Sequence, residues 1–368
     1  MYKTGANNAM DKRQALLLNF TGSTYHWGCY GTSMELWQTL VDLGYYVDLV
    51  DVRDPHVWAN PPQHAAHFTD ADFGAEFLKA NLSLYHALLG ADVVVVNGEG
   101  TLHGLGRASI NLLYVMYLAK VHFKKPVHLI NGSFFPADDG QPNDALDALY
   151  GQVARVVDAV VPRETASKAV LARLGLATQQ GFDCLPRFIH RYGLLDSHVF
   201  QPTVVVAGGV SLTQVQAQNL GRMLAVFQTL SVRLVFLTGA KASINQEDGR
   251  VYQEMLAQCP ELNLVTAQTM REWLDAIRHS ACMVSARYHH TLAAVSLGVP
   301  TLVFPSNTPK IDASMAMLGM DHVLNIEHDL AKVKDLIQHA LQQKLAPVPP
   351  ENVRSILNLC ANNFVGLV

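Results

Sequence analysis

The chain has 368 residues, 49% of them hydrophobic and 16% charged, with a formal net charge of -4. That length and apolar content suit two buried cores and exclude disorder, and mild acidity with no Lys/Arg-rich run excludes a nucleic-acid surface. No apolar run nears the ~18 residues of a membrane span, the five cysteines show no CxxC spacing, and no secretory layout opens the chain; a cytoplasmic protein without disulfides is expected.

In chain order, Ala15–Phe20 reads as a strand entering a glycine-rich loop, Thr21–Gly31, in which His26, Trp27 and Tyr30 can stack on a sugar or plug the loop. Thr32–Leu43 is predicted as an amphipathic helix and Tyr46–Val50 as a strand. Residues 55–73, rich in His, Pro and Asp, read as an irregular excursion whose histidines lack a metal-binding i, i+4 pair. A helix follows at Ala75–Leu89. Asp92–Val96 is a buried parallel strand by its unbroken β-branched run. Further helices are predicted at Ile110–Ala119, Ala145–Val156 and Arg163–Leu174, and strands at Val127–Ile130 and Ala159–Val161. The pattern breaks over Arg187–Pro202. It resumes with strands at Val204–Ala207, Arg233–Leu237, Asn263–Val265, Thr301–Phe304 and His322–Leu324, the segment ending at Ser285 being another. Helices are expected at Gln214–Leu230, Glu247–Gln258, Met270–His279, Thr291–Leu297, Asp329–Lys344 and Glu351–Asn362. This alternation predicts an α/β protein of two Rossmann-like domains facing a central cleft, residues 1–190 and 200–345, with 346–368 packing back across the junction.

Candidate site residues fall just past predicted strands, where parallel α/β folds bind ligands. Asn97, Gly98, Glu99, Gly100, Thr101 and His103 follow the Asp92–Val96 strand. Their glycines admit close backbone approach, and Glu99 suits a sugar hydroxyl better than an anion. Arg163 sits at a strand-to-helix turn and can reach a carboxylate or phosphate. Arg287 and His289 combine an anion contact with a proton donor at a helix start, and Lys310 follows the next strand. Asp183 reads as a polar contact at the domain boundary, and Cys184 has no nearby base.

These motifs resemble the polysaccharide pyruvyl transferase family over roughly Leu16 to Met320. The resemblance is carried by the first glycine-rich loop, residues 97–103, Arg163-Glu164-Thr165-Ala166-Ser167, and Ala286-Arg287-Tyr288-His289 with Lys310. It implies a GT-B-like arrangement and transfer of the enolpyruvyl unit of phosphoenolpyruvate to a saccharide acceptor, releasing phosphate. On that reading Arg287, Arg163 and Lys310 hold the donor, His289 is the acid and Glu99 the base, with no metal and no cofactor beyond the donor. The family's N-x-G-D loop has no acid here, where Trp27-Gly28-Cys29-Tyr30-Gly31 stands. A lipid-linked acceptor would draw the protein to the inner membrane face. The alternatives are a GT-B glycosyltransferase using a nucleotide sugar and a non-catalytic sugar- or nucleotide-binding protein of the same fold.

Overall fold

The computed structural model describes residues 13–23, 26–137, 139–209, 212–240, 246–320 and 323–368. Two five-stranded parallel sheets carry the chain. The first is built from β1 (Gln14–Phe20), β2 (Tyr46–Asp51), β3 (Val93–Asn97), β4 (Val127–Gly132) and β5 (Ala159–Pro162), in the order β2-β1-β3-β4-β5. The second contains β6 (Thr203–Ala207), β7 (Arg233–Leu237), β8 (Asn263–Val265), β9 (Cys282–Ser285) and β10 (Thr301–Val303), in the order β10-β9-β6-β7-β8. The central strands are β-branched runs buried on both faces. In β3 all five residues are buried, as they must be when helices cover both sides of a parallel sheet. Each order reverses once, between β1 and β3 and between β6 and β9. Such reversals splay the loops at the strand carboxyl ends and open a crevice. Two Rossmann-like domains therefore face one cleft.

Several elements depart from the sequence reading for identifiable reasons. The first crossover helix runs Trp27–Asp42, five residues earlier than expected, because Trp27 gains a buried seat and donates its indole N–H to Ala267 O at 3.1 Å. The predicted helix at residues 75–89 is two, Ala71–Ala80 and Leu82–Gly90. They break at Asn81, whose amide donates to Phe77 O and Ala59 O while its carbonyl accepts Ala59 N–H. The break expected from Arg187 begins with a helix, Leu185–Arg191, opened by Pro186 in its first turn. The strand expected at His322–Leu324 starts outside the described residues; Leu324 N–H bonds Val303 O without extending the sheet. The helix predicted at 291–297 is Tyr288–Ser296, which puts His289 and His290 in its first turn.

The chain ends back on the first sheet. Helix Pro350–Ala361 packs against Leu185–Arg191, Asn363 accepts the Asn131 N–H at 2.7 Å, and Leu367 O accepts the Tyr45 hydroxyl at 2.9 Å. Among the described residues no helix is long and apolar enough to cross a membrane.

Candidate functional site

A cleft of about 510 Å³ lies between the sheets, and nearly every residue lining it follows a strand end or opens a helix. Glu99, Gly100, Thr101 and His103 come from the loop after β3, Arg163 from the end of β5, and Arg287 to His290 from the end of β9. Lys310 is the first residue of helix Lys310–Met317. Helices Trp27–Asp42, Arg107–Val121, Tyr288–Ser296 and Lys310–Met317 all start at the cleft, and none has a side-chain cap. Uncapped first turns leave amide N–H groups and the positive end of the helix dipole for a ligand. Side chains add to that field: Arg53, Arg107, Arg163, Arg287 and Lys310 line the cleft with the carboxylates of Glu99 and Glu247, and three of these cations are also paired behind it with Asp51, Asp183 and Asp248. That lining suits an anionic ligand.

Its chemical centre is His289. The ring Nε2 is 3.3 Å from Asp183 Oδ2 and 3.5 Å from Glu99 Oε1, while Nδ1 faces Cys29 Sγ at 3.7 Å. Asp183 is fully buried and also accepts from Arg163 at 2.7 Å, from the Thr32 hydroxyl at 2.9 Å and from Leu185 N–H at 2.9 Å. Burial pushes its carboxyl up, but the His289 and Arg163 contacts outweigh that and hold it well below the ordinary range. An ionised Asp183 thus fixes the imidazole's orientation. Gly28 makes the approach possible: a Cβ there would stand 2.1 Å from His289 Cβ.

Arg163 is buried, donating to Ser133 Oγ at 2.7 Å and lying 4.4 Å over the Tyr288 ring. Arg287 donates to Asp248 Oδ1 at 3.0 Å, so half its guanidinium is anchored while the residue still lines the cleft. Lys310 has no carboxylate within ion-pair distance among the described residues. Desolvation and then the Arg163 charge bring its ammonium down to about 8. His103 Nε2 is buried with no hydrogen-bond partner, and burial plus the Lys310 and Arg163 charges lower its pKa to about 3, so it stands neutral. His103 and Lys310 line the same side of the cleft as Arg163, whose guanidinium is already held by Ser133 and Asp183.

The structure therefore gathers His289, Arg287, Glu99, Arg163, Lys310, Gly100, Thr101 and His103 around one cleft. It leaves two predicted contacts outside. Asn97 is fully buried, its carbonyl accepting from Glu99 N–H at 3.2 Å and Asn131 at 2.9 Å, so it braces the loop. Gly98 is a packing glycine, since a Cβ would come 2.6 Å from Gly132 Cα. His290 accepts the Trp273 indole N–H at 3.1 Å, and burial keeps it neutral; it is part of the second core. Trp27 is likewise a plug between the domains. Residues with no sequence signal of their own complete the site: Cys29, Asp248 and Tyr288.

Lys310 sets a pH dependence. Its ammonium is present below about 8 and lost above it. The affinity for an anionic ligand is expected to fall as pH rises through 8, since an anion gains from the charged form only. In the Lys310→Arg variant that fall should vanish, because guanidinium stays charged; calorimetric titrations at pH 7 and 9 measure it.

No protein-family model matches the chain, and no curated protein does. Solved structures match it along its whole length. UDP-GlcNAc 2-epimerase from Neisseria meningitidis, bound to UDP-GlcNAc, is 14% identical with a TM-score of 0.57, covering 96% of this chain and 98% of its own. Anabaena Alr3699/HepE in complex with UDP-glucose is 12% identical with a TM-score of 0.55, covering 96% and 99%. The S. aureus MnaA–UDP structure is 13% identical with a TM-score of 0.54, covering 97% and 98%. These likenesses match the GT-B-like fold of two Rossmann-like domains around a central cleft. They overturn the expected kinship with polysaccharide pyruvyl transferases: the solved structures that match this chain include UDP-GlcNAc 2-epimerases and proteins holding UDP or UDP-sugars, and the match to each is along nearly the whole chain. With that kinship go the phosphoenolpyruvate donor, the pyruvyl transfer to a cell-surface polysaccharide and the saccharide-ketal product. The whole chain shares instead the architecture of proteins that bind nucleotide sugars.

Proposed function

We propose that the protein binds a UDP-sugar in the cleft and converts it by breaking the bond between the anomeric carbon and the diphosphate, as an epimerase-type enzyme. The observation that carries this reading is the convergence of four uncapped helix starts and five Lys/Arg side chains on a cleft with an acid–base pair at its centre. A diphosphate carries two or more negative charges and gains charge as it leaves. Preformed N–H groups and cations stabilise that leaving group more in the transition state than in the ground state. Glu99 and His289, 3.5 Å apart, are placed to take and return a proton on the sugar, with Asp183 holding the imidazole.

Five free, buried cysteines agree with a reducing compartment, and we place the protein in the cytoplasm. The test is proton NMR of UDP-GlcNAc and UDP-glucose incubated with the protein in D₂O. Epimerase-type chemistry is expected to wash deuterium into the carbon beside the anomeric centre and to release some UDP. Tight UDP binding with no exchange and no UDP release would refute the catalytic reading. Failure of UDP and of both UDP-sugars to bind would refute the whole proposal.

A further inference from the structure

Three side chains from distant segments, Cys29, Glu99 and His289, each place one ligand-type atom within 4.8 Å of the others. We propose that they form a binding site for a divalent transition metal, zinc being the ion that fits the donor set. Thiolate, imidazole and carboxylate together select zinc over the oxygen-seeking magnesium and calcium. The spacing also fits. A tetrahedral ion with Zn–S of ~2.3 Å and Zn–N of ~2.0–2.1 Å holds sulfur and nitrogen about 3.6 Å apart; Cys29 Sγ and His289 Nδ1 are 3.7 Å apart.

The second feature is the far side of the ring. Metal-bound histidines usually give their other nitrogen to a carboxylate, which fixes the tautomer and strengthens the ligand. His289 has that arrangement, with Nδ1 turned to Cys29 and Nε2 3.3 Å from the buried Asp183; Glu99 Oε1, 3.5 Å from the same Nε2, turns toward the Nδ1 side to complete the set when the ion binds. A thiolate and the Glu99 carboxylate balance the ion's two charges, and because only the Cys29 proton leaves as the ion enters, occupancy makes the cleft more positive by one unit. All three ligands line that cleft, which leaves the fourth coordination position facing it. Three protein ligands and an open position are the arrangement of catalytic rather than structural zinc. The ion would enter as the Cys29 proton leaves, making binding weaker as pH falls. Glu99 and His289 cannot hold an ion and serve as the free acid–base pair at the same time, so metal uptake is read without UDP-sugar and deuterium exchange is read on the chelator-stripped protein.

The experiment uses the full-length, untagged protein, stripped with chelator and titrated with Zn²⁺ by calorimetry and with Co²⁺ by absorption. Stoichiometric Zn²⁺ uptake, a near-ultraviolet sulfur-to-cobalt charge-transfer band and intense tetrahedral d–d bands are expected. Cys29→Ser should lose the charge-transfer band. Asp183→Asn should keep the band but bind Zn²⁺ roughly 10–100-fold more weakly. Glu99→Gln, nearly isosteric, covers the case in which either of those variants fails to fold; it should also weaken Zn²⁺ binding. Absence of uptake in the wild type, or a cobalt spectrum unchanged by Cys29→Ser, overturns the proposal.

Discussion

Replacing Asp183 with alanine is expected to lower the free energy of unfolding by about 3–5 kcal/mol, the cost of taking the nearest partner from a buried charge. Both Asp183 and its partner Arg163 are essentially inaccessible, at 0% and 1% exposure. Removing the carboxylate strands the guanidinium among Ser133, Tyr288 and Glu164, the last at 3.9 Å. It also removes the acceptor for Thr32 and for Leu185 N–H, which tie helices Trp27–Asp42 and Leu185–Arg191 together. Thr32→Val provides the comparison: it deletes a single hydrogen bond to the same oxygen atom and should cost about 1 kcal/mol. Urea unfolding curves measure both. A loss at Asp183→Ala no larger than at Thr32→Val would mean that the Arg163 charge reaches water in the native state. The pH profile follows from the depressed pKa. The Asp183 contribution is complete above the ordinary carboxylate pKa of ~3.9 and is lost only as pH falls toward the lower folded value.

His289→Ala should reduce turnover of a UDP-sugar by roughly 10²–10⁴-fold, the usual contribution of a positioned acid–base group. The affinity for UDP itself should change little. On the proposed reading the diphosphate is held by Arg287, Lys310 and the helix starts, while His289 is engaged by Asp183, Glu99 and Cys29. The expected signature is therefore a collapse of kcat with the UDP Kd preserved. Equal losses in UDP affinity and in turnover would make His289 a binding residue and move the acid–base role elsewhere. Single-turnover kinetics beside UDP calorimetry on the same preparations separates the two.

The parts of this molecule legible in the sequence are those decided locally. A run such as Val93–Val96 can only be a strand covered on both faces, and polar residues just past such strands point to the cleft whatever packs later. Arg287 and His289 were readable on that ground. What stayed hidden depends on pairs separated by most of the chain. Nothing around Cys29 announces an imidazole from residue 289, and nothing around Asp248 announces Arg287. Asp183 reads as an ordinary boundary residue until three elements close on it. Local signals also misplace element ends where tertiary contacts outweigh them, as when Trp27 draws its helix five residues toward the cleft. The family resemblance failed for a different reason. Arg-x-His after a strand, glycines around an acid and a lysine further on describe how a parallel fold holds an anion, and that requirement is common to many donors.

The closing of the chain on its own beginning has a consequence for synthesis. The first sheet holds β1 to β5 and is made first, yet the Asn131 backbone N–H and the Tyr45 hydroxyl are bonded by Asn363 and Leu367. Phe364 and Leu367 also sit in the apolar cluster that covers Leu17, Val95 and Ile130. A ribosome that has released only the first half has thus delivered five strands whose apolar face lacks its last cover. Closing that apolar face therefore depends on a residue 232 positions further along the chain than the strand residue it bonds, so this domain cannot complete its packing from its own segment alone.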